Sequence, residues 1–199
     1  MIIKVSWRRQ ASILLALLAT IALVVIPAPT SSAYLLLGQK WSTSSIKYYA
    51  ASPMSSYSTW TAAAGQWSGL DATLTLSSSS PHIVAKQENR GNTVAWTGAT
   101  RKPGTVQDYP AYSGSYWTPG MEVVLNWSYM TSLSYTSSQK KMVAAHESGH
   151  AFGLKHNTAT LPGTPGVPKA LMYPYDSTRI YYGVLTPQAD DKAGVNALY

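Results

Sequence analysis

The sequence predicts one α+β domain behind a removable N-terminal segment. Three observations carry this. Short β-forming runs recur at 45–50, 71–76, 82–86, 92–98 and 121–126. Two stretches, 56–69 and 136–153, repeat apolar residues at helical spacing, and a third helical stretch closes the chain after Pro187. The 199 residues suffice for a single domain with a substantial core.

Residues 1–33 read as a secretory signal. Lys4, Arg8 and Arg9 give a basic start, and Ser31-Ser32-Ala33 offers small residues for cleavage. Ala11 to Ile26 is apolar apart from Ser12 and Thr20. That run falls short of the roughly 20 residues a membrane span needs, and Pro27 and Pro29 end it. The mature chain, 34–199, is therefore expected to be secreted and extracellular, without stable membrane association. It carries 12 basic and 8 acidic residues, scattered, which argues against a nucleic-acid surface. There is no cysteine, so the core alone must stabilise the domain.

Ser45 to Ala50 is rich in β-formers and predicts the first strand. Tyr57, Trp60, Ala64 and Trp67 then recur at helical spacing, with Gly69 as a stop. Asp71–Leu76 alternates as a second strand, and His82–Lys86 reads as a third. His82 is taken as polar surface. Asn92–Gly98 is a short fourth strand at the sheet edge. Ala99 to Gly120, with three prolines, three glycines and three tyrosines, reads as a long functional loop. Met121–Asn126 is an apolar fifth strand. Asn126-Trp127-Ser128 is formally a glycosylation sequon. Thr186 is predicted to cap the last helix, with Pro187 at its first position and Asp190 and Asp191 in its early turns.

The chemistry concentrates in His146-Glu147-Ser148-Gly149-His150-Ala151-Phe152-Gly153-Leu154-Lys155-His156, an HExxHxxGxxH pattern without a mismatch. His146 and His150 lie four apart, so a helix sets them on one face, able to grip one cation. Thr136-Ser137-Ser138-Gln139 fits a capping box that starts this helix. Gly153 should end it, and the turn there brings in His156 as third ligand. Three neutral imidazoles leave a fourth position open for water, as in catalytic zinc sites. Glu147 is not spaced as a ligand. It projects beside the metal, where it can take a proton from the water.

With Met172 following inside Ala170-Leu171-Met172-Tyr173-Pro174, the sequence resembles the metzincin zinc peptidases, and within them the matrixins (matrix-metalloprotease type). The resemblance implies a metzincin-like catalytic domain. It would have a twisted, mostly parallel five-stranded sheet, about three helices and an active-site cleft along the sheet edge. Met172 would be the Met-turn methionine beneath the metal, and Asp190 and Asp191 would brace that turn. One catalytic Zn2+ is implied. A second, structural zinc is not expected, because the 99–120 region offers Asp108 and no histidine. Calcium is left open, the acidic residues being few and unclustered. Matrixins follow the Met-turn with Pro-x-Tyr, whereas this chain has Pro174-Tyr175-Asp176. Tyr175, Tyr181 or Tyr182 is expected to wall the neighbouring pocket instead. Together these readings describe a monomeric, secreted zinc-dependent endopeptidase acting on protein or peptide substrates, with Glu147 as general base.

Overall fold

A computed structural model of the chain describes residues 34–50, 54–106 and 110–199; the predicted signal segment and Asp108 lie outside the described residues. Among the described residues seven strands are formed: β1 Ser45–Ala50, β2 Thr73–Leu76, β3 Ile83–Glu88, β4 Gly98–Arg101, β5 Tyr112–Ser113, β6 Tyr116–Trp117 and β7 Met121–Asn126. Five of them make one sheet in the order β2-β1-β3-β7-β4. All its pairings are parallel except that of β4, which runs antiparallel to β7 along one edge. The mostly parallel five-stranded sheet expected from the resemblance is therefore present. β5 and β6 pair as a separate small hairpin.

β1 shows how burial follows the pleat. Ile46, Tyr48 and Ala50 point inward while their neighbours stay more exposed. β7 is buried at all six positions, as a central strand covered on both faces must be. The main helix, α3 Ser137–Phe152, packs on β7, on β4 and on α1 Tyr57–Gly65. Trp60 of α1 and Trp67 beyond its end both enter the core. Trp67 is fixed there because its indole N–H donates to the Ala145 carbonyl at 3.1 Å.

Five helices occur among the described residues rather than about three: α1, α2 Trp127–Ser132, α3, α4 Asp176–Tyr181 and α5 Ala189–Leu198. The two unexpected ones have six residues each, under two turns, too short to print a periodic stripe. The predicted first helix stops at Gly65, and the last begins at Ala189 with Gln188, not Thr186, before it. There Asp191 accepts the Gln188 N–H at 2.8 Å. The fourth strand lies at 98–101 instead of 92–98. The Asn126 amide pulls the preceding segment into a loop by donating to the Gly91 and Trp96 carbonyls while its oxygen accepts the Arg90 N–H. Asn126 is fully buried by these bonds, so the formal sequon is not exposed. His82 is likewise more than polar surface. Its Nδ1 accepts the Lys47 N–H at 2.9 Å, and its ring packs on Trp41.

Candidate metal centre

The helix carrying the motif is fixed at both ends by its own sequence. Gln139 N–H donates to the Thr136 hydroxyl, and the Gln139 side chain accepts the Thr136 N–H at 2.8 Å, so the capping box is complete. Gly153 ends the helix with φ +116°, a conformation that L side chains rarely adopt. A Cβ there would also sit 2.3 Å from the Gln39 carbonyl oxygen. Only glycine meets both demands. The chain then reverses, and Leu37 and Lys155 tie it to the N-terminal segment through the Gly153 and Leu35 carbonyls, each at 2.8 Å.

This reversal brings His156 to the helix face. Its Nε2 lies 3.2 Å from Nε2 of His146 and 3.1 Å from Nε2 of His150. Tetrahedral zinc with Zn–N bonds of about 2.0–2.1 Å would set its ligand nitrogens about 3.3–3.4 Å apart. The other ring nitrogens are committed: His146 Nδ1 faces the Leu171 carbonyl and His150 Nδ1 the Leu154 carbonyl, both at 2.8 Å. Donation to those carbonyls leaves Nε2 of both rings as a lone pair aimed at His156. His156 can donate to only one of them, so the donor set asks for a cation. The three side chains form the one such ligand cluster found among the described residues and can hold a metal ion. Burial, followed by the Arg179 charge and the neighbouring rings, holds His146 well below the ordinary histidine range. Burial and His156 push His150 down to about 3, and burial and Arg179 lower His156. All three are thus neutral imidazoles at pH 7, the form that binds metals.

Glu147 points into the same cleft. Burial pushes its carboxyl up to about 7, against the opposing hydrogen bond from Thr100 and the Arg179 charge. The Thr100 hydroxyl lies 2.9 Å from Glu147 Oε2 and 2.8 Å from the Glu147 carbonyl oxygen, and can donate to either. A Cβ on Gly98 would meet Glu147 Cγ at 2.7 Å, so β4 approaches the carboxylate through a residue with no side chain. Gly98, Ala99 and Thr100, with Trp96, Glu147, His150 and His156, line a cavity of about 510 Å³. Tyr175, Tyr181 and Tyr182 are not among its lining residues and are exposed, so the expected tyrosine wall is not formed by them.

Met172 packs against the motif helix: a Cβ on Gly149, between the two helical histidines, would come within 2.4 Å of its sulfur. Asp191 braces the turn by accepting the Leu171 and Met172 N–H groups at 2.7 and 3.1 Å. Asp190 accepts the Asn157 amide at 2.9 Å. Asp191 thus braces the turn directly, and Asp190 reaches it through Asn157, whose N–H donates to the Met172 carbonyl at 2.8 Å. Sequence reasoning missed Thr100 and Arg179. Thr100 lies in the stretch read as loop, and an arginine on a six-residue helix carries no sign that it is buried.

Residues 42–182 match the model of Metallo-peptidase family M12. Human matrix metalloproteinase-20 is 47% identical over 57 residues, 29% of this chain, and the matched stretch spans about 10% of that protein's length. A crystal structure of myroilysin is similar with a TM-score of 0.38 and 14% identity, covering 81% of this chain and 76% of that one. With the family model spanning most of the domain, motif helix included, the chain belongs to Metallo-peptidase family M12, a metzincin-type peptidase family.

Proposed function

We propose that this protein is a secreted zinc-dependent endopeptidase that hydrolyses internal peptide bonds of proteins. The observation that carries the reading is the convergence of three imidazole Nε2 atoms beside a cleft that Glu147, His150 and His156 line. When bound there by His146, His150 and His156, zinc supplies Lewis acidity, polarising the scissile carbonyl and acidifying a water. Glu147 accepts the proton of that water as its oxygen adds to the carbonyl carbon. It then hands the proton to the amine nitrogen as the C–N bond breaks. Burial favours a neutral Glu147, which a divalent cation held by the three histidines would return to the carboxylate form.

The edge position of β4 supports an extended substrate. β7 pairs with one side of β4, which leaves the main-chain groups of its other side for an incoming peptide. Main-chain pairing tolerates many side chains, so proteins rather than one fixed peptide are the proposed substrates. Glu147→Ala should leave zinc bound, by metal analysis, while casein or gelatin cleavage drops by orders of magnitude. Cleavage at the parent rate would reject the assignment.

Secretion is proposed on the basic, apolar and small-residue pattern of residues 1–33. N-terminal sequencing of protein recovered from culture medium should begin near Tyr34. Recovery only with cells, signal intact, would count against it.

A further inference from the structure

Arg179 lies on α4, seven residues beyond Met172, with its side chain 1% exposed. A guanidinium buried this far is stable only if it is paired and hydrogen-bonded. It does not line the cleft, and the hydrolysis described above does not use it. Its contacts run toward the metal site. One terminal nitrogen pairs with the Asp176 carboxylate. The other, Nη1, donates to the Leu171 carbonyl at 2.8 Å and lies against His146 Nδ1. Its Nε has no partner among the described residues.

The Leu171 carbonyl is thus shared. It faces both His146 Nδ1 and the guanidinium, each at 2.8 Å. A carbonyl oxygen has two lone pairs and can accept both. Arginine has no acceptor, and His146 Nδ1 serves as donor or acceptor but not as both. With Nδ1–H given to Leu171, Nε2 keeps the lone pair a metal needs. If Nδ1 instead accepted a hydrogen bond from the Arg179 N–H, the ring proton would sit on Nε2 and His146 would drop out of the ligand set. Which role the ring takes therefore depends on where the Leu171 carbonyl and the guanidinium are held. Asp176 holds the guanidinium and is itself anchored from two directions. Its Oδ2 accepts the Thr97 hydroxyl at 2.6 Å, just before β4, and the Tyr135 hydroxyl at 3.1 Å, just before the α3 cap.

We infer that Arg179 is a positioning residue for the metal site: anchored by Asp176, its guanidinium fixes the Leu171 carbonyl and through it the His146 ring as a ligand. This rests on the reading that His146 ligates zinc. Partners of this kind typically change metal affinity by about 10–100-fold when removed.

The test is zinc affinity by competition with a chromophoric chelator, on the mature chain and its Arg179→Met, Arg179→Lys and Asp176→Asn variants. Arg179→Met should bind zinc about 10–100-fold more weakly, with the near-UV circular dichroism of the zinc-loaded protein retained. Its cobalt-substituted form should show altered visible bands. Lysine keeps the charge but cannot span both Leu171 and Asp176, so it should restore affinity only in part. Asp176→Asn, a milder change at a less buried site, should weaken zinc binding severalfold. Wild-type affinity and cobalt bands in Arg179→Met would overturn the inference. Should that variant fail to fold, wild-type affinity in Asp176→Asn would overturn it equally. If the wild-type chain itself binds no zinc, the metal-site reading fails first, and this inference with it.

Discussion

At the scale of single residues, the site depends on small groups that hold Glu147 in place. The Thr100 hydroxyl is a donor within reach of the carboxylate. A hydrogen bond to a charged group contributes about 1.5–3 kcal/mol. Thr100→Val, which keeps the shape and deletes the donor, is expected to lower kcat/KM about tenfold or more at full zinc occupancy. Thr100→Ser should restore most of it. Peptide hydrolysis alongside metal content measures both. A valine variant as active as wild type would remove Thr100 from the mechanism. Glu147 also sets a pH dependence. A base works only when deprotonated, so activity falls as pH drops through its pKa. Burial, against the opposing Thr100 hydrogen bond and Arg179 charge, places that value at about 7, and a bound cation would lower it. The acidic limb of kcat/KM should therefore lie at or below about pH 7, and be absent from the residual rate of Glu147→Gln.

At the scale of elements, α3 is the part on which the site is built, and its ends are set locally. Thr136→Ala removes one half of the capping box and should cost about 1 kcal/mol. In a domain of this size that lowers Tm by about 2–4 °C. Zinc affinity should not change, because the cap lies ten residues from the first ligand. Gly153→Ala is a different matter. The added Cβ meets both a positive φ and the Gln39 carbonyl. It should destabilise the fold and shift His156, weakening zinc binding as well. A thermal melt paired with a zinc titration separates the two cases. Equal loss of zinc affinity in both variants would contradict this division of roles.

For the whole molecule, the missing disulfides direct attention to a buried charge network. Arg101 pairs with Glu88 and with Glu122, which also pairs with Lys86. Burial would raise both carboxyls, but the hydrogen bonds and charges of Arg101, with Arg90 at Glu88 and Lys86 at Glu122, hold them below the ordinary value of 4.5. Groups depressed on folding add stability that is present above the unfolded pKa and lost as pH falls through the folded one. Acid unfolding should therefore steepen below about pH 4.5 and flatten in Glu122→Gln, as followed by circular dichroism. Arg101→Met removes the buried cation that bridges Glu122 and the partly exposed Glu88, leaving each carboxylate one more exposed partner, Lys86 or Arg90, and should cost up to about 3–5 kcal/mol. Because Arg101 ends β4, the strand bearing Gly98 and Thr100, that loss should also reach the cleft.

The sequence by itself determined what short-range rules govern. The i, i+4 spacing of His146 and His150, the capping box at Thr136 and the left-handed turn at Gly153 act within a few residues, so they could be read without coordinates. The same holds for β1 and β7, whose β-forming runs match their observed bounds. Tertiary structure alone decided where β4 lies, because Gly98-Ala99-Thr100-Arg101 carries no strand pattern and is placed by the Asn126 side chain and by packing on Glu147 and Val143. It likewise decided the burial of Arg179, the Thr100 contact and the role of His82. Each of these depends on partners brought together from distant parts of the chain, and no local pattern encodes such a meeting.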